Sequence, residues 1–294
     1  MSKKKVSALV VCVVVLLAIA VVGGVSWWFY KNTKPVVSTN AIQPDSETAQ
    51  SSIDETVSDN TVEKDAFNKD ALQAVVTEWQ KSIPASATAS VVVADDSGTV
   101  LASVNGDEQY FTASLYKLFV AYEGYKALDA GDLTADDTFQ GSRTVSECLD
   151  LMIRESDSPC GERMWTELGK QTIDSAITAY GITSTDMVGL QTTAKDTATM
   201  LARIARGEGL TDDSQATYLD SMKTQPALYR RGLPSGFSEA VTVYSKVGWN
   251  EQLEWHDATI VERADGERLI VAVLTSRVGS AMIAELGRAI ETTL

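Results

Sequence analysis

The sequence predicts an α+β domain over residues 67–294, and three observations predict it. Strand-like runs open the region, "ATASVVVAD" and "TVLASV", and others close it, "AVTVYSKVGW", "HDATIVER" and "ERLIVAVLTS". From residue 114 to about residue 225 the apolar period is helical instead. Short turn sequences, Asp96-Ser97-Gly98 and Ala264-Asp265-Gly266, join neighbouring runs as hairpins. A lone hairpin is marginal in water, so the strands from the two ends must share one sheet. The helices between them then form a lobe packed on that sheet, with a cleft where the two meet.

Taken in chain order, the region before the domain reads as a membrane anchor followed by a stalk. After Lys3, Lys4 and Lys5, the run from Val6 to Tyr30 has no charged residue, and about 25 residues rising 1.5 Å each suffice to cross a hydrocarbon layer of ~30 Å. The lysines before it, and Trp27, Trp28, Phe29 and Tyr30 at its far end, match cytoplasmic positive charge and an interfacial aromatic belt. Residues 1–34 are therefore expected to be a cytoplasmic tip and a single-pass transmembrane helix, N-terminus inside, with the rest of the chain outside. The competing readings are a signal peptide cleaved after Ala18-Ile19-Ala20 and a lipoprotein signal at Cys12. Apolar residues continue well past Ala20, however, and Val11 is large for a lipoprotein cleavage site. Residues 35–66 carry one lysine against seven acids, and their few apolar groups cannot offset the entropy of ordering, which predicts a disordered acidic stalk.

The chain carries a net charge of −15, and residues 67–294 alone carry −14. So acidic a body excludes a phosphate-backbone partner, and no nucleic acid is expected. One histidine and three cysteines, with no CxxC or HExxH spacing, leave no metal site, and no cofactor is expected.

Within the domain, Phe67, Leu72, Val75, Val76, Trp79 and Ile83 recur at helical spacing and give an opening amphipathic helix. The helical middle is interrupted near residues 131–143, 156–160 and 181–192, and a closing helix follows from about residue 279. No internal repeat is evident.

The stretch "YFTASLYKLFV", residues 110–120, sets Ser114 and Lys117 into an apolar run. On a helix beginning near Ser114, Lys117 shares a stripe with Ser114, Ala121, Gly124 and Leu128. The adjoining faces carry Leu115, Leu118, Phe119 and Tyr122, so the helix reads as buried nearly all round. An ammonium there is costly unless it is paired or gives up its proton. A buried lysine one turn from a serine accepts or holds the hydroxyl proton, which makes a weak alcohol a nucleophile. The plain alternative is that Ser114 caps the helix and Lys117 reaches solvent, since S-x-x-K alone is a weak pattern that Ser2-Lys3-Lys4-Lys5 also matches.

Two further stretches favour the catalytic reading. "RESDSPCGE" places Ser156-Asp157-Ser158 in a break between helices, and "YSKVGWN" places Lys246-Val247-Gly248 at the end of a strand. In this order the three motifs resemble those of the penicillin-recognising serine hydrolases, in particular the class A β-lactamases. The resemblance runs from about residue 67 to the C-terminus. It implies a β-lactamase/transpeptidase-like fold, an antiparallel sheet flanked by helices, in a bacterial cell-envelope enzyme whose substrate is a β-lactam or a peptidoglycan-type peptide. It implies Ser114 as the acylated nucleophile, Lys117 as its proton acceptor and Ser156 as the proton relay to the leaving nitrogen. Lys246 supplies positive charge toward a substrate carboxylate, and the N–H groups of Ser114 and Trp249 form the oxyanion hole. Gly248 lets a substrate backbone approach the strand edge.

The sequence departs from the family pattern in four places. Ser158 stands where asparagine is usual, so a short hydroxyl replaces a long amide. Val247 stands where threonine is usual, which removes a hydroxyl that binds the substrate carboxylate. His256 lies near the usual place of an arginine that assists the same carboxylate and is a candidate substitute; the alternative is a structural histidine beside Asp257. Finally, only "GITSTDMVGLQTTAKD" joins two helices where the family carries a long loop with a deacylating glutamate; it holds Asp186 and Asp196 but no glutamate. Acylation is thus better supported than rapid turnover, and a D-alanyl-D-alanine peptidase or a non-catalytic wall-binding module remain competing readings.

Cys148 and Cys160 flank the Ser156 motif. On one straight helix twelve residues would separate them by ~18 Å, beyond disulfide reach, so pairing requires a break, which Pro159 and the family's loop at Ser156-Asp157-Ser158 supply. An exported domain permits that disulfide; two separate buried thiols are the alternative.

Overall fold

The computed structural model describes residues 67–250 and 254–294; the expected anchor, the stalk and Cys12 lie outside the described residues. Among the described residues, no helix is long and apolar enough to cross a membrane.

The opening helix, α1 (Lys69–Ser82), starts at Asn68, whose side chain accepts from the Ala71 N–H. The strand-like runs become β1 (Thr88–Asp95), β2 (Val100–Val104), β7 (Thr242–Trp249), β8 (Trp255–Glu262) and β9 (Arg268–Ser276). They form one antiparallel sheet in the order β2-β1-β9-β8-β7, so the two ends of the domain do share a sheet and β7 is an edge strand. Gly98 and Gly266 take positive φ in the two hairpin turns read from the sequence.

Both faces of the sheet are covered. Val91 and Val93 of β1 pack with Leu72 and Val76 of α1 and with Ile283 and Leu286 of the closing helix α8 (Ser280–Glu291). Val92 and Ala94, one residue out of phase, pack into the helical lobe, as the two-residue period of a strand requires. At the centre of the lobe runs α2 (Tyr116–Ala130), in which Leu118 through Tyr122 are fully buried. Around it lie α3 (Val145–Arg154), α4 (Ser158–Leu168), α5 (Lys170–Ala179), α6 (Ala194–Arg206) and α7 (Asp212–Lys223). Helix α2 begins two residues later than expected, because Ala113–Leu115 form a 3-10 turn that brings Ser114 to its head.

The interruptions in the helical period hold short paired segments: β3 (Gln109–Phe111) with β6 (Gln191–Thr193), and β4 (Thr138–Gln140) with β5 (Arg143–Thr144). At two or three residues these are too short to show an alternating pattern.

Candidate active site

Strand β3 delivers the chain to Ser114, and three contacts fix where it arrives. The Thr112 N–H donates to the Leu190 carbonyl at 2.8 Å. His256 Nε2 lies 2.8 Å from the Phe111 carbonyl, and the Thr275 N–H donates to His256 Nδ1 at 3.0 Å. Because Nδ1 accepts, Nε2 carries the ring proton and donates to Phe111. The third contact is Gly248, where a Cβ would stand 2.8 Å from the Thr112 carbonyl and 2.9 Å from Leu115 Cγ. Ala113 takes the left-handed region (φ 44°) in the turn that presents Ser114, a conformation that an L-residue holds only when its surroundings over-determine it.

These contacts correct the substrate-facing reading of His256 and give Gly248 a packing role. His256 does not face a ligand: it is fully buried, both ring nitrogens are engaged, and burial lowers its pKa to about 4, so it is neutral and braces β8 against the Phe111 turn. Gly248 is required for close packing of β7 on the nucleophile's turn, since the direction its side chain would take is filled by protein.

Lys117 is fully buried. Its Nζ donates to Ser114 Oγ at 3.1 Å, to the Ser156 carbonyl at 2.6 Å and to Ser158 Oγ at 3.2 Å. The short Ser158 hydroxyl therefore still reaches Lys117. Burial lowers the Lys117 pKa to about 8, against the opposing pull of Asp157 and Glu162, so a neutral amine is accessible near neutrality.

The turn carrying Ser156 is built by the local sequence. Helix α3 starts in a Thr144/Glu147 capping box, and beyond its end the Asp157 N–H reaches back to the Leu151 carbonyl. Asp157 then caps α4 by accepting the Cys160 N–H at 2.8 Å, with Pro159 in the first turn, and forms a 2.7 Å ion pair with Arg143. Burial works to raise the Asp157 pKa, but the Cys160 N–H and Arg143 outweigh it and hold it below the usual range. Ser156, between the helices, has φ 54°. Its carbonyl accepts from Lys117 and its hydroxyl from Lys246 Nζ, at 2.9 Å. Cys148 and Cys160 are joined by a disulfide, Cα–Cα 5.0 Å, that ties α3 to α4 behind this turn.

Lys246, also fully buried, donates from Nζ to the Val247 carbonyl at 2.7 Å as well, and burial followed by the nearness of Lys117 pushes its pKa well below the ordinary lysine value. The Val247 side chain is fully buried. The Asn250 N–H points into the sheet, to the Glu254 carbonyl at 3.3 Å. Successive backbone groups of a strand point to opposite sides, so the Trp249 N–H lies on the free outer edge of β7, the edge beside the Ser114 turn. The Trp249 ring is partly exposed and stacks on Trp255 with centroids 6.2 Å apart.

Five motif residues from three separate stretches, Ser114, Lys117, Ser156, Ser158 and Lys246, thus converge on one point, with Lys117 and Lys246 both reaching Ser156. One contributor carries no motif signal: a Cβ at Gly161 would lie 2.8 Å from Lys117 Cε, so only glycine leaves room for the lysine stem. Among the described residues no group of three or more His, Cys, Asp or Glu side chains is placed to hold a metal.

Comparison with known proteins agrees with the fold. The sequence profile of the β-lactamase enzyme family matches residues 69–294. No curated protein matches the sequence. Among solved structures, PBP-A is 24% identical, with a TM-score of 0.67 over 75% of this chain and 96% of that one. An ancestral (GNCA) class A β-lactamase is 18% identical, with a TM-score of 0.69 over 76% of this chain and 100% of that one. A β-lactamase from Xanthomonas campestris pv. campestris is 18% identical, with a TM-score of 0.70 over 77% and 98%. Identities of this size speak for the shared fold; the profile match speaks for the family. With the fold, the profile and a serine held by a buried lysine in agreement, the chain belongs to the β-lactamase enzyme family and is a serine hydrolase.

Proposed function

We propose that this serine hydrolase is held outside the cell by an N-terminal membrane anchor and is acylated at Ser114 by β-lactams or by D-alanyl-D-alanine-type amides. The observation that carries the reading is the Lys117 ammonium site, buried and 3.1 Å from Ser114 Oγ. In its neutral form Lys117 takes the Ser114 proton as Oγ attacks the amide carbonyl. The N–H groups of Ser114 and Trp249 hold the developing oxyanion, each such donor worth on the order of 3 kcal/mol. Ser156, in contact with Lys246, passes a proton to the leaving nitrogen. Lys246 offers its charge to a substrate carboxylate. A PBP-A variant captured as an acyl-enzyme complex with penicillin G supports penicillins as probes.

A second reading, a penicillin-binding acyl-transferase or D-alanyl-D-alanine peptidase, is favoured by the short 181–196 segment, which brings no glutamate to the site. Without a base in that loop, release of the acyl group loses a factor of ~10²–10⁴. The test is intact-mass spectrometry of the full chain over time with penicillin G. A serine hydrolase with slow release gives one adduct lasting minutes; a fast-vanishing adduct identifies an efficient β-lactamase; no adduct overturns the proposal.

A further inference from the structure

The two carboxylates of the 181–196 segment, and that of Asp157, are already engaged. Asp186 Oδ1 accepts the Val188 and Gly189 N–H groups at 2.8 and 2.9 Å. Asp196 Oδ2 accepts the Ser184 N–H at 2.7 Å and the Thr185 hydroxyl at 2.9 Å. Both hold the 181–196 segment in its compact path. Asp157 is fixed by Cys160 and Arg143.

Glu162 differs from all three. It follows Gly161, the residue packed against Lys117 Cε, and its charge favours the Lys117 ammonium. Its side chain is exposed, and among the described residues no hydrogen bond or ion pair engages its carboxylate. It lines a recess of ≈ 260 Å³ with Tyr116, Trp165, Thr166, Lys170 and Leu190. Two of these walls flank the nucleophile along the chain. Tyr116 is two residues after Ser114, and the Leu190 carbonyl accepts from Thr112, two residues before it. The recess is therefore large enough for water, carries the Glu162 carboxylate in a largely apolar lining, and is walled by residues that neighbour Ser114 along the chain.

We infer that Glu162 is the base that activates water for release of the acyl group from Ser114, an assignment that rests on the acylation proposed above. Water oxygen bonds to the ester carbonyl carbon as its proton passes to the Glu162 carboxylate. The bond from that carbon to Ser114 Oγ then breaks, and the proton returns from Glu162 through neutral Lys117 to Oγ. The free acid leaves, and serine, lysine and glutamate regain their starting states. The charged or titratable groups facing Glu162 are Lys117 and Tyr116 from α2 and Lys170 from α5.

The experiment compares adduct lifetimes of the full chain and its Glu162→Gln variant after a pulse of penicillin G, followed by intact mass. The variant still forms the adduct, and its lifetime lengthens by ~10²-fold. Glu162→Asp restores part of the rate. An unchanged lifetime overturns the assignment while leaving Ser114 acylation standing. An adduct on the parent but none on Glu162→Gln also overturns it, placing Glu162 in acylation. No adduct on either chain overturns both readings.

Discussion

Gly161 and Lys117 are in direct contact: the α-carbon of one lies where any side chain would strike Cε of the other, at 2.8 Å. A Gly161→Ala substitution must therefore move the Lys117 stem, whose Nζ is fixed by three acceptors. Displacing a proton acceptor by a fraction of an ångström to an ångström costs on the order of 10²-fold in rate, and overpacking costs ~1–3 kcal/mol of stability. Acylation by penicillin G is expected to slow by about that factor while the variant stays folded by circular dichroism. A variant as fast as the parent contradicts the contact's role.

The acylation rate is expected to follow the Lys117 amine. With burial lowering its pKa to about 8, the fraction of neutral base, and with it the rate, rises roughly tenfold per pH unit below that value and levels above it. Rapid-quench adduct formation between pH 6 and 9 measures this. A flat profile means that Lys117 does not take the proton. Lys117→Ala should lower the plateau rate above pH 8 by ~10²-fold or more and remove this pH dependence.

What was legible in the sequence was what is local. The strands, their hairpin turns and the buried α2 follow from periods that a short window contains, and Ser114 and Lys117 announce each other because one helical turn separates them. Ser156 and Lys246 were legible only through motif order, since nothing near Ser156 says that its hydroxyl meets a lysine 90 positions later at 2.9 Å. His256 stood open between a substrate contact and a structural role for the same reason: the Phe111 carbonyl and Thr275 N–H that occupy its ring, and decide for the structural role, belong to other strands. Gly161 carries no pattern at all. Its importance comes from the side of α4 that turns toward Lys117, which no spacing within "SPCGERMWTEL" fixes.

Asp257 makes a pH-dependent contribution to stability. It is fully buried, Oδ2 accepts from the Leu233 N–H and Trp255 Nε1 at 3.1 Å each, and Oδ1 has no partner. Burial raises its pKa from 3.8 to about 7, against the Leu233 and Trp255 donors, Lys246 and Arg230. Between those two values the folded chain keeps a proton that the unfolded chain releases, so stability falls as pH rises through the window and levels above about 7. Asp257→Asn removes the titration and keeps an acceptor. Its unfolding free energy relative to the parent's, measured by denaturant titration, should rise between pH 5 and pH 8 by roughly 2–3 kcal/mol at ~1.4 kcal/mol per pH unit. An advantage that does not change with pH contradicts this reading.

The Cys148–Cys160 disulfide closes a short loop around the Ser156 turn. In the chain-entropy model a loop of this length contributes about 3 kcal/mol. Thiol titration of the denatured, unreduced chain should find one free thiol, Cys12, and reduction should lower the melting temperature by several degrees. Three free thiols contradict the pairing.

Peptide mapping of the penicillin G adduct tests most directly whether Ser114 is the nucleophile. The full chain and its Ser114→Ala variant are incubated with the drug, digested and sequenced by tandem mass spectrometry. The adduct mass is expected on the Ser114 side chain of the parent and nowhere on the variant, whose stability falls by at most about 1 kcal/mol through loss of a hydroxyl at a helix start. An adduct on any other residue, or full labelling of Ser114→Ala, would contradict the site described above.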